Sequence, residues 1–170
     1  MCSSDLIKIT ANGGTNNNPA SFTVEYPDGF KSRYGLNTSK SITTWAINSW
    51  TNAQNVTIAY GYVNINNNLV LTDILYGGLF EELNTSRIEF IYTNRARPEQ
   101  SYVGGQSVVL NKILTEIKVR DFRNYYLTYD ETSLGYNRLN KITEKSGDNT
   151  KEYNPTVFSY DTPKIRNITN

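Results

Sequence analysis

The sequence contains no histidine and only one cysteine in 170 residues. Without histidine the chain has no Ser-His or Cys-His dyad, and it lacks the commonest general base and metal ligand of proteins. With Cys2 alone, no disulfide can form within the chain. We therefore expect a protein that is not an enzyme, with no catalytic residues, no metal site and no cofactor.

The sequence also lacks an excess of charge of one sign, and it has no long apolar run. The chain carries 17 basic and 16 acidic residues, which gives a net charge of +1. This balance provides no basic stripe of the kind that binds nucleic acid or an anionic membrane surface. No apolar run approaches the roughly 18 residues of a membrane span. We expect neither nucleic acid nor a membrane span among the partners of this chain.

The first six residues, Met1 to Leu6, have neither the basic start nor the apolar stretch of a signal peptide. They resemble the translation of a common sequencing adapter joined to a gene. We interpret residues 1–6 as such an artefact and residues 7–162 as one β-domain fragment. The polar residues 163–170 are interpreted as a linker or a truncated edge.

The residues that the chain does have in abundance suit β-structure. It contains 13 tyrosines together with many threonines and asparagines, which favour strands and the turns between them. Apolar and polar residues alternate over Phe22–Tyr26, as in a strand with one face in water. The turn sequence Pro27-Asp28-Gly29 follows, and residues 30–36 are expected to return as the second strand of a hairpin.

The same alternation, interrupted by turn residues, predicts further strands. They cover residues 42–47, 55–63, 69–76, 87–92, 108–120, 122–130, 138–145 and 156–160. Residues 108–120 also show helical spacing, but their β-branched content and the lack of an N-cap favour a strand. Residues 49–54 could form one helical turn. The series predicts an all-β fold, an antiparallel meander of hairpins.

A small unit recurs within this meander. A strand ends in alternating aromatic residues, a polar loop follows, and a Leu-x-x-Ile segment comes next. The aromatic ends are residues 60–62, 90–92, 125–129 and 158–160, and the Leu-x-x-Ile segments are 71–74, 110–113, 114–117 and 139–142. Repetition in a fixed order indicates a repeat architecture, in which each hairpin buries its face against the next.

These segments resemble a known family. Asn55–Tyr62 and Leu71–Gly78 resemble the Rhs/YD type of repeat, a strand Asn-x-x-x-x-Tyr-x-Tyr followed by Leu-x-x-Ile-x-Tyr-x-Gly. From Arg87 onward, an ordered series of short segments closely resembles the end of the SpvB-like domain at the N-terminus of toxin-complex B subunits. The similarity covers about residues 19–161. The chain departs from the family at Lys112-Ile113, where Arg-Leu is usual, and in a short connection at residues 120–123.

The resemblance implies a structural role in a secreted bacterial toxin. In toxin-complex B subunits, β-sheet segments build a hollow shell together with a C subunit that carries the toxic enzyme. This chain is then expected to be one wall segment of a larger β shell, located outside the bacterial cell. Its partners would be the rest of its own parent chain and either a C subunit or a C-terminal cargo domain.

Two other functions stay open on the residues alone. The chain could be an extracellular module that recognises glycan or a protein partner through exposed aromatics, which would require tyrosines clustered on one solvent-facing surface. It could also be an enzyme, which would require a deep polar pocket around acids such as Glu89. A calcium site at residues 147–150 is disfavoured, because the oxygen ligands are not regularly spaced.

The predicted role depends on packing, so the residues expected to carry it are those of the structural core. They are Trp45, Ile58, Tyr60, Tyr62, Leu71, Ile74, Phe90, Tyr92, Ile117, Tyr129, Leu139, Ile142, Phe158 and Tyr160.

Overall fold

The computed structural model describes residues 6–15, 17–79 and 86–161. Over these residues the chain forms one sheet of eleven antiparallel strands, and the order of strands in the sheet is their order in the chain. The predicted all-β antiparallel meander is therefore confirmed. No helix in this part of the chain is long and apolar enough to cross a membrane. Residues 1–5 of the predicted segment 1–6, and the whole of the predicted segment 163–170, lie outside the described residues.

The strands differ greatly in length, from two residues to eighteen. A 3-10 turn at Asn37–Ser39 lies between β3 and β4. The strands are β1 (Lys8–Thr15), β2 (Asn18–Glu25), β3 (Lys31–Tyr34), β4 (Ile47–Thr51), β5 (Val56–Ile65), β6 (Asn68–Leu79), β7 (Ser86–Val103), β8 (Gln106–Val119), β9 (Arg123–Glu131), β10 (Asn137–Ser146) and β11 (Thr156–Val157).

The turn between β2 and β3 forms as its sequence predicts. The Tyr26 N–H donates to the Phe30 carbonyl oxygen at 2.9 Å, and the Gly29 N–H donates to the Tyr26 carbonyl oxygen at 3.0 Å. Asp28 Oδ1 accepts a hydrogen bond from the Phe30 N–H at 3.2 Å. Gly29 has a φ of 86°, a conformation that glycine adopts at no steric cost.

Several local predictions from the sequence are wrong. Residues 42–47 are largely a loop, and residues 49–54, proposed as a helical turn, lie partly within β4. Trp50 is held in β4 because it pairs with Ser32 on one side and Ile58 on the other. Strand β1 was not predicted, because Lys8–Thr15 has little apolar alternation and gains its extended form by pairing with β2.

The segment 108–120 is a strand within the longest hairpin of the fold. Strands β7 and β8 pair along both halves of this hairpin, but residues 95–98 bulge out between the pairs Asn94–Lys112 and Glu99–Leu110. The hairpin tip is tied back to the turn between β5 and β6. The Val109 N–H donates to the Asn66 carbonyl oxygen at 3.1 Å.

The register gives the sheet two chemically different faces, since paired residues lie on the same face and neighbours in a strand alternate. We call one of them the apolar face. The register places on it Ile9, Ala11, Phe22, Val24, Tyr34, Ile47, Trp50, Ile58, Tyr60, Tyr62, Leu71, Ile74, Tyr76, Ile88, Phe90, Tyr92, Leu114, Ile117, Val119, Tyr125, Leu127, Tyr129, Leu139 and Ile142. Across β2 to β6 this face carries no charged side chain.

The apolar face is only half-buried, because the described residues form a single layer. Val70 is the one buried hydrophobic side chain among them. The other buried side chains are polar, and Thr57, Ser32 and Ser39 are the most enclosed of them. A domain is normally built of two or more layers packed around a core. The described part of this chain supplies one such layer.

Candidate functional site: the apolar face

The Leu-x-x-Ile segments owe their place on the apolar face to β-bulges. In a regular strand, residues three apart point to opposite faces. In β6, however, Thr72 has no partner on β5, whereas Leu71 lies opposite Tyr62 and Ile74 lies opposite Tyr60. An extra, unpaired residue of this kind is a β-bulge, and here it brings both aliphatic side chains to the same face.

The same arrangement occurs in two further hairpins. Thr115 is the unpaired residue of β8 and Asn140 that of β10. The residue pairs that flank these bulges are Leu114–Tyr92, Ile117–Phe90, Leu139–Tyr129 and Ile142–Leu127. The repeat in the sequence is therefore a repeat of bulged hairpins. Segment 110–113 does not belong to it, since its leucine lies opposite Glu99.

The bulge residues are polar, and each uses its side chain in a hydrogen bond. The Thr72 hydroxyl donates to Asp73 Oδ2 at 2.9 Å, and the Thr115 hydroxyl donates to the Ile91 carbonyl oxygen at 3.2 Å. Asn140 Nδ2 donates to Asp130 Oδ1 at 2.6 Å. A side chain that bonds locally stabilises the bulge without contributing apolar surface. Sequence reasoning identified the flanking Leu and Ile residues but missed the role of the residues between them.

Seven tyrosines lie on the apolar face, and packing withdraws several of their hydroxyl groups from water. They are Tyr34, Tyr60, Tyr62, Tyr76, Tyr92, Tyr125 and Tyr129. Burial raises the pKa of Tyr62, Tyr92 and Tyr129 above the ordinary value, because the phenolate form would lose its hydration. The Tyr129 hydroxyl donates to the Leu114 carbonyl oxygen at 2.6 Å, which spans from β9 to β8.

Eleven of the fourteen predicted core residues lie on the apolar face, and the other three lie elsewhere. Trp45 is in the loop before β4, where its ring meets the Phe22 ring edge to face at 5.5 Å between centroids. Phe158 and Tyr160 follow the short strand β11 and are exposed by 36% and 47%, so the structure places them on the surface instead of in the core. They are exposed because β11 pairs with β10 over two residues only.

The opposite face of the sheet, which we call the charged face, carries ion pairs. Glu25 lies between Lys8 at 3.0 Å and Lys31 at 3.2 Å, and these two lysines lower the pKa of its carboxyl group. Arg87 lies 3.4 Å from Glu89 and 3.8 Å from Asp73. Ion pairs this exposed contribute little stability, typically about 0–1 kcal/mol each. They make this face compatible with water.

Neither of the chemical sites weighed from the sequence gathers its residues in the structure. Glu89 lies in the ion-pair network of the charged face. Asp148 Oδ1 accepts hydrogen bonds from Ser146 and from the Thr150 amide and hydroxyl, which is a local turn. Among the described residues, no group of three or more Cys, Asp or Glu side chains is placed to hold a metal ion.

Comparison with known proteins finds similarity at the level of the fold. No protein-family model matches the sequence, and no curated protein sequence matches it. The structure is similar to that of the N-terminal domain of effector protein SpvB from Salmonella typhimurium strain LT2, with a TM-score of 0.68 and 12% sequence identity. The match covers 85% of this chain and 67% of that chain. At this identity the likeness shows a shared fold.

Proposed function

We propose that this chain is a structural wall segment of a secreted bacterial toxin of the SpvB or toxin-complex B type. In this role it helps to encapsulate or present a toxic cargo carried further along the polypeptide or on a partner subunit. One observation carries the proposal: among the described residues, the apolar, aromatic face, which has no charged side chain from β2 to β6, has no second layer on it. A half-buried apolar face that no second layer covers is typical of an interaction surface.

The fold likeness to the SpvB N-terminal domain supports this proposal. The resemblance of the hairpin sequences to Rhs/YD repeats is consistent with it. In this interpretation the bulged hairpins are successive units of one curved wall, because bulges increase the twist and bend of a sheet. The rest of the parent chain, or a C subunit or cargo domain, would then cover the apolar face. Each added unit would extend the same face, as in other repeat proteins.

Chemical modification of tyrosine tests whether the apolar face is covered in the parent protein. Tetranitromethane should nitrate Tyr60 at least tenfold more slowly in the full-length protein than in the isolated chain. Tyr102 is 69% exposed and lies outside the apolar face, so it serves as the internal control and should react equally in both. Equal nitration of Tyr60 in both proteins would refute the proposed covering layer.

A long sequencing read through both ends of the gene gives an independent test. The proposal expects an SpvB-like domain completed upstream, with Asp-rich propeller repeats or Rhs repeats downstream. A start codon directly before Ile7 together with a stop codon after Asn170 would contradict it. That outcome would favour the second candidate, a small β module that recognises glycan or a protein partner through exposed aromatics. The cluster of seven tyrosines on one face is the observation in its favour.

A further inference from the structure

A short irregular segment lies along the edge of the sheet at β10. We call residues 151–160 the strap, and every one of these residues is exposed. The amides of Tyr153 and Phe158 donate to the carbonyl oxygens of Glu144 and Asn140 on β10, both at 2.9 Å. The ladder pairs between the strap and β10 are Lys141–Val157 and Ile142–Thr156. The strap therefore occupies the position of a next strand without pairing along the length of β10.

Two tyrosines hold the strap, and each lies against an arginine. The Arg123 guanidinium lies over the Tyr153 ring, 4.4 Å from its centroid, and donates to the Tyr153 hydroxyl at 2.7 Å. The Arg138 guanidinium lies over the Tyr160 ring, 4.5 Å from its centroid. The Tyr160 hydroxyl donates to the Leu139 carbonyl oxygen at 2.7 Å. Side-chain contacts thus fix the strap near both of its ends.

The two arginines lie on opposite faces of the sheet. Arg123 lies opposite Val119, which is an apolar-face residue. Arg138 lies opposite Asp130 and directly precedes the apolar-face residue Leu139, so the register places it on the charged face. The strap therefore crosses the β10 edge from one face to the other. It lies across the backbone groups with which an edge strand can pair with another chain.

The other edge of the sheet, formed by β1, has no such cover within the described part of the chain. There β1 pairs with β2 alone. Lys8 is its one charged residue, and the apolar-face residue Ile9 is 67% exposed. An uncovered edge strand with little charge can accept a further strand.

The topology makes these two edges complementary. Neighbouring strands are antiparallel throughout the sheet, so β1 and β10, the first and the tenth in order, run in opposite directions. A second copy in the same orientation would set its β1 antiparallel to β10, with both apolar faces on one side. Two β10 strands fit less well, because each carries three cations and one anion and like charges across a pair destabilise it.

We propose that the strap is a displaceable cover that keeps the β10 edge from pairing with β1 of a second copy of this chain. When the strap leaves the edge, copies join head to tail, and each added copy presents a new β10 edge. Head-to-tail contacts of this kind build rings or filaments instead of closed dimers. The proportion of assembled protein then rises with its concentration.

The double variant Tyr153→Ala/Tyr160→Ala of the full 170-residue chain tests the proposal. It removes both contacts with arginine, so the Phe158 amide should exchange its hydrogen at least about tenfold faster. Sedimentation velocity at micromolar concentrations should show species larger than the monomer, in proportions that rise with concentration. The original chain should stay monomeric under the same conditions.

The matched control Tyr102→Ala/Tyr136→Ala removes two exposed tyrosines away from the strap, one of which also lies against an arginine, Arg97. It should stay monomeric. Adding Ile9→Lys to the double variant should restore the monomer, because the new lysine would face the cations of β10. Ile9 is exposed, so this replacement should leave the fold of each copy intact.

Four outcomes would overturn this inference. They are an unchanged exchange rate of the Phe158 amide, a released strap in a protein that stays monomeric, equal assembly of the original chain, and assembly that Ile9→Lys does not reduce. If urea unfolding shows that the double variant does not fold, Tyr160→Ala alone carries the same test, because Tyr160 lies beyond the last ladder pair. All of these results leave the shell proposal intact, because the nitration of Tyr60 concerns a different surface.

Discussion

Replacement of Phe90 by aspartate probes the apolar face most directly. Phe90 is half-buried opposite Ile117, so its truncation forfeits about half of the 1.5–3 kcal/mol that full burial provides. The lower strand propensity of aspartate costs up to about 1 kcal/mol, and partial desolvation of its carboxylate adds about 1–3 kcal/mol. Phe90→Asp should therefore destabilise the fold by about 2–5 kcal/mol, a large share of the 5–15 kcal/mol typical of a domain.

Urea unfolding followed by circular dichroism measures this loss. With a slope of about 2 kcal/mol per molar urea, the midpoint should fall by about 1–2.5 M, or the variant should be unfolded in buffer. Thr93→Asp is the matched control, because Thr93 lies three residues further along β7 and is an exposed residue of the charged face. Its midpoint should shift by less than about 0.5 M. A variant Phe90→Asp that folds cooperatively with an unchanged midpoint would refute the two-faced sheet.

Three further predictions concern local geometry. Gly35→Ala should lower the urea midpoint and weaken the near-ultraviolet circular dichroism of Trp45. The reason is that Gly35 has a φ of +78° and that a Cβ atom there would collide with the indole. An unchanged near-ultraviolet spectrum would contradict this prediction. The Ser146 hydroxyl, with the Thr150 amide, lowers the pKa of Asp148 to about 2. Because the pKa of Asp148 is lower in the folded state than in the unfolded state, its ionised carboxylate stabilises the fold. This stabilisation is fully present above about pH 4 and is lost as the pH falls through about 2. Ser146→Ala should raise the pKa of Asp148, as measured by NMR titration. An unchanged titration curve would count against the hydrogen bond from the Ser146 hydroxyl to Asp148 Oδ1. Deletion of Thr115 should leave β7 and β8 regularly paired, with Leu114 and Glu116 on the faces that they occupy now, so the variant should fold. A variant that does not fold would show that the bulge itself is required.

Much of the fold could be predicted from local residue patterns. Period-two alternation and turn residues located β2, β3, β5, β6, β9 and β10 to within a few residues, because these strands carry their own apolar alternation. These patterns could not locate β1, because its residues are mostly exposed and are extended only because they pair with β2. They also misplaced β4, since Trp50 is fixed by Ser32 and Ile58 and not by its neighbours in sequence.

The sequence by itself determined the strand type, the hairpin order and the recurring unit, because these follow from side-chain periodicity and turn chemistry within short segments. Only the tertiary structure decided which side chains share a face. A three-residue Leu-x-x-Ile spacing predicts opposite faces in a regular strand, and the bulges at Thr72, Thr115 and Asn140 reverse that outcome. The position of the strap was likewise decided only by the tertiary structure, because its tyrosines are held by Arg123 and Arg138, which the register of the sheet brings to the β10 edge.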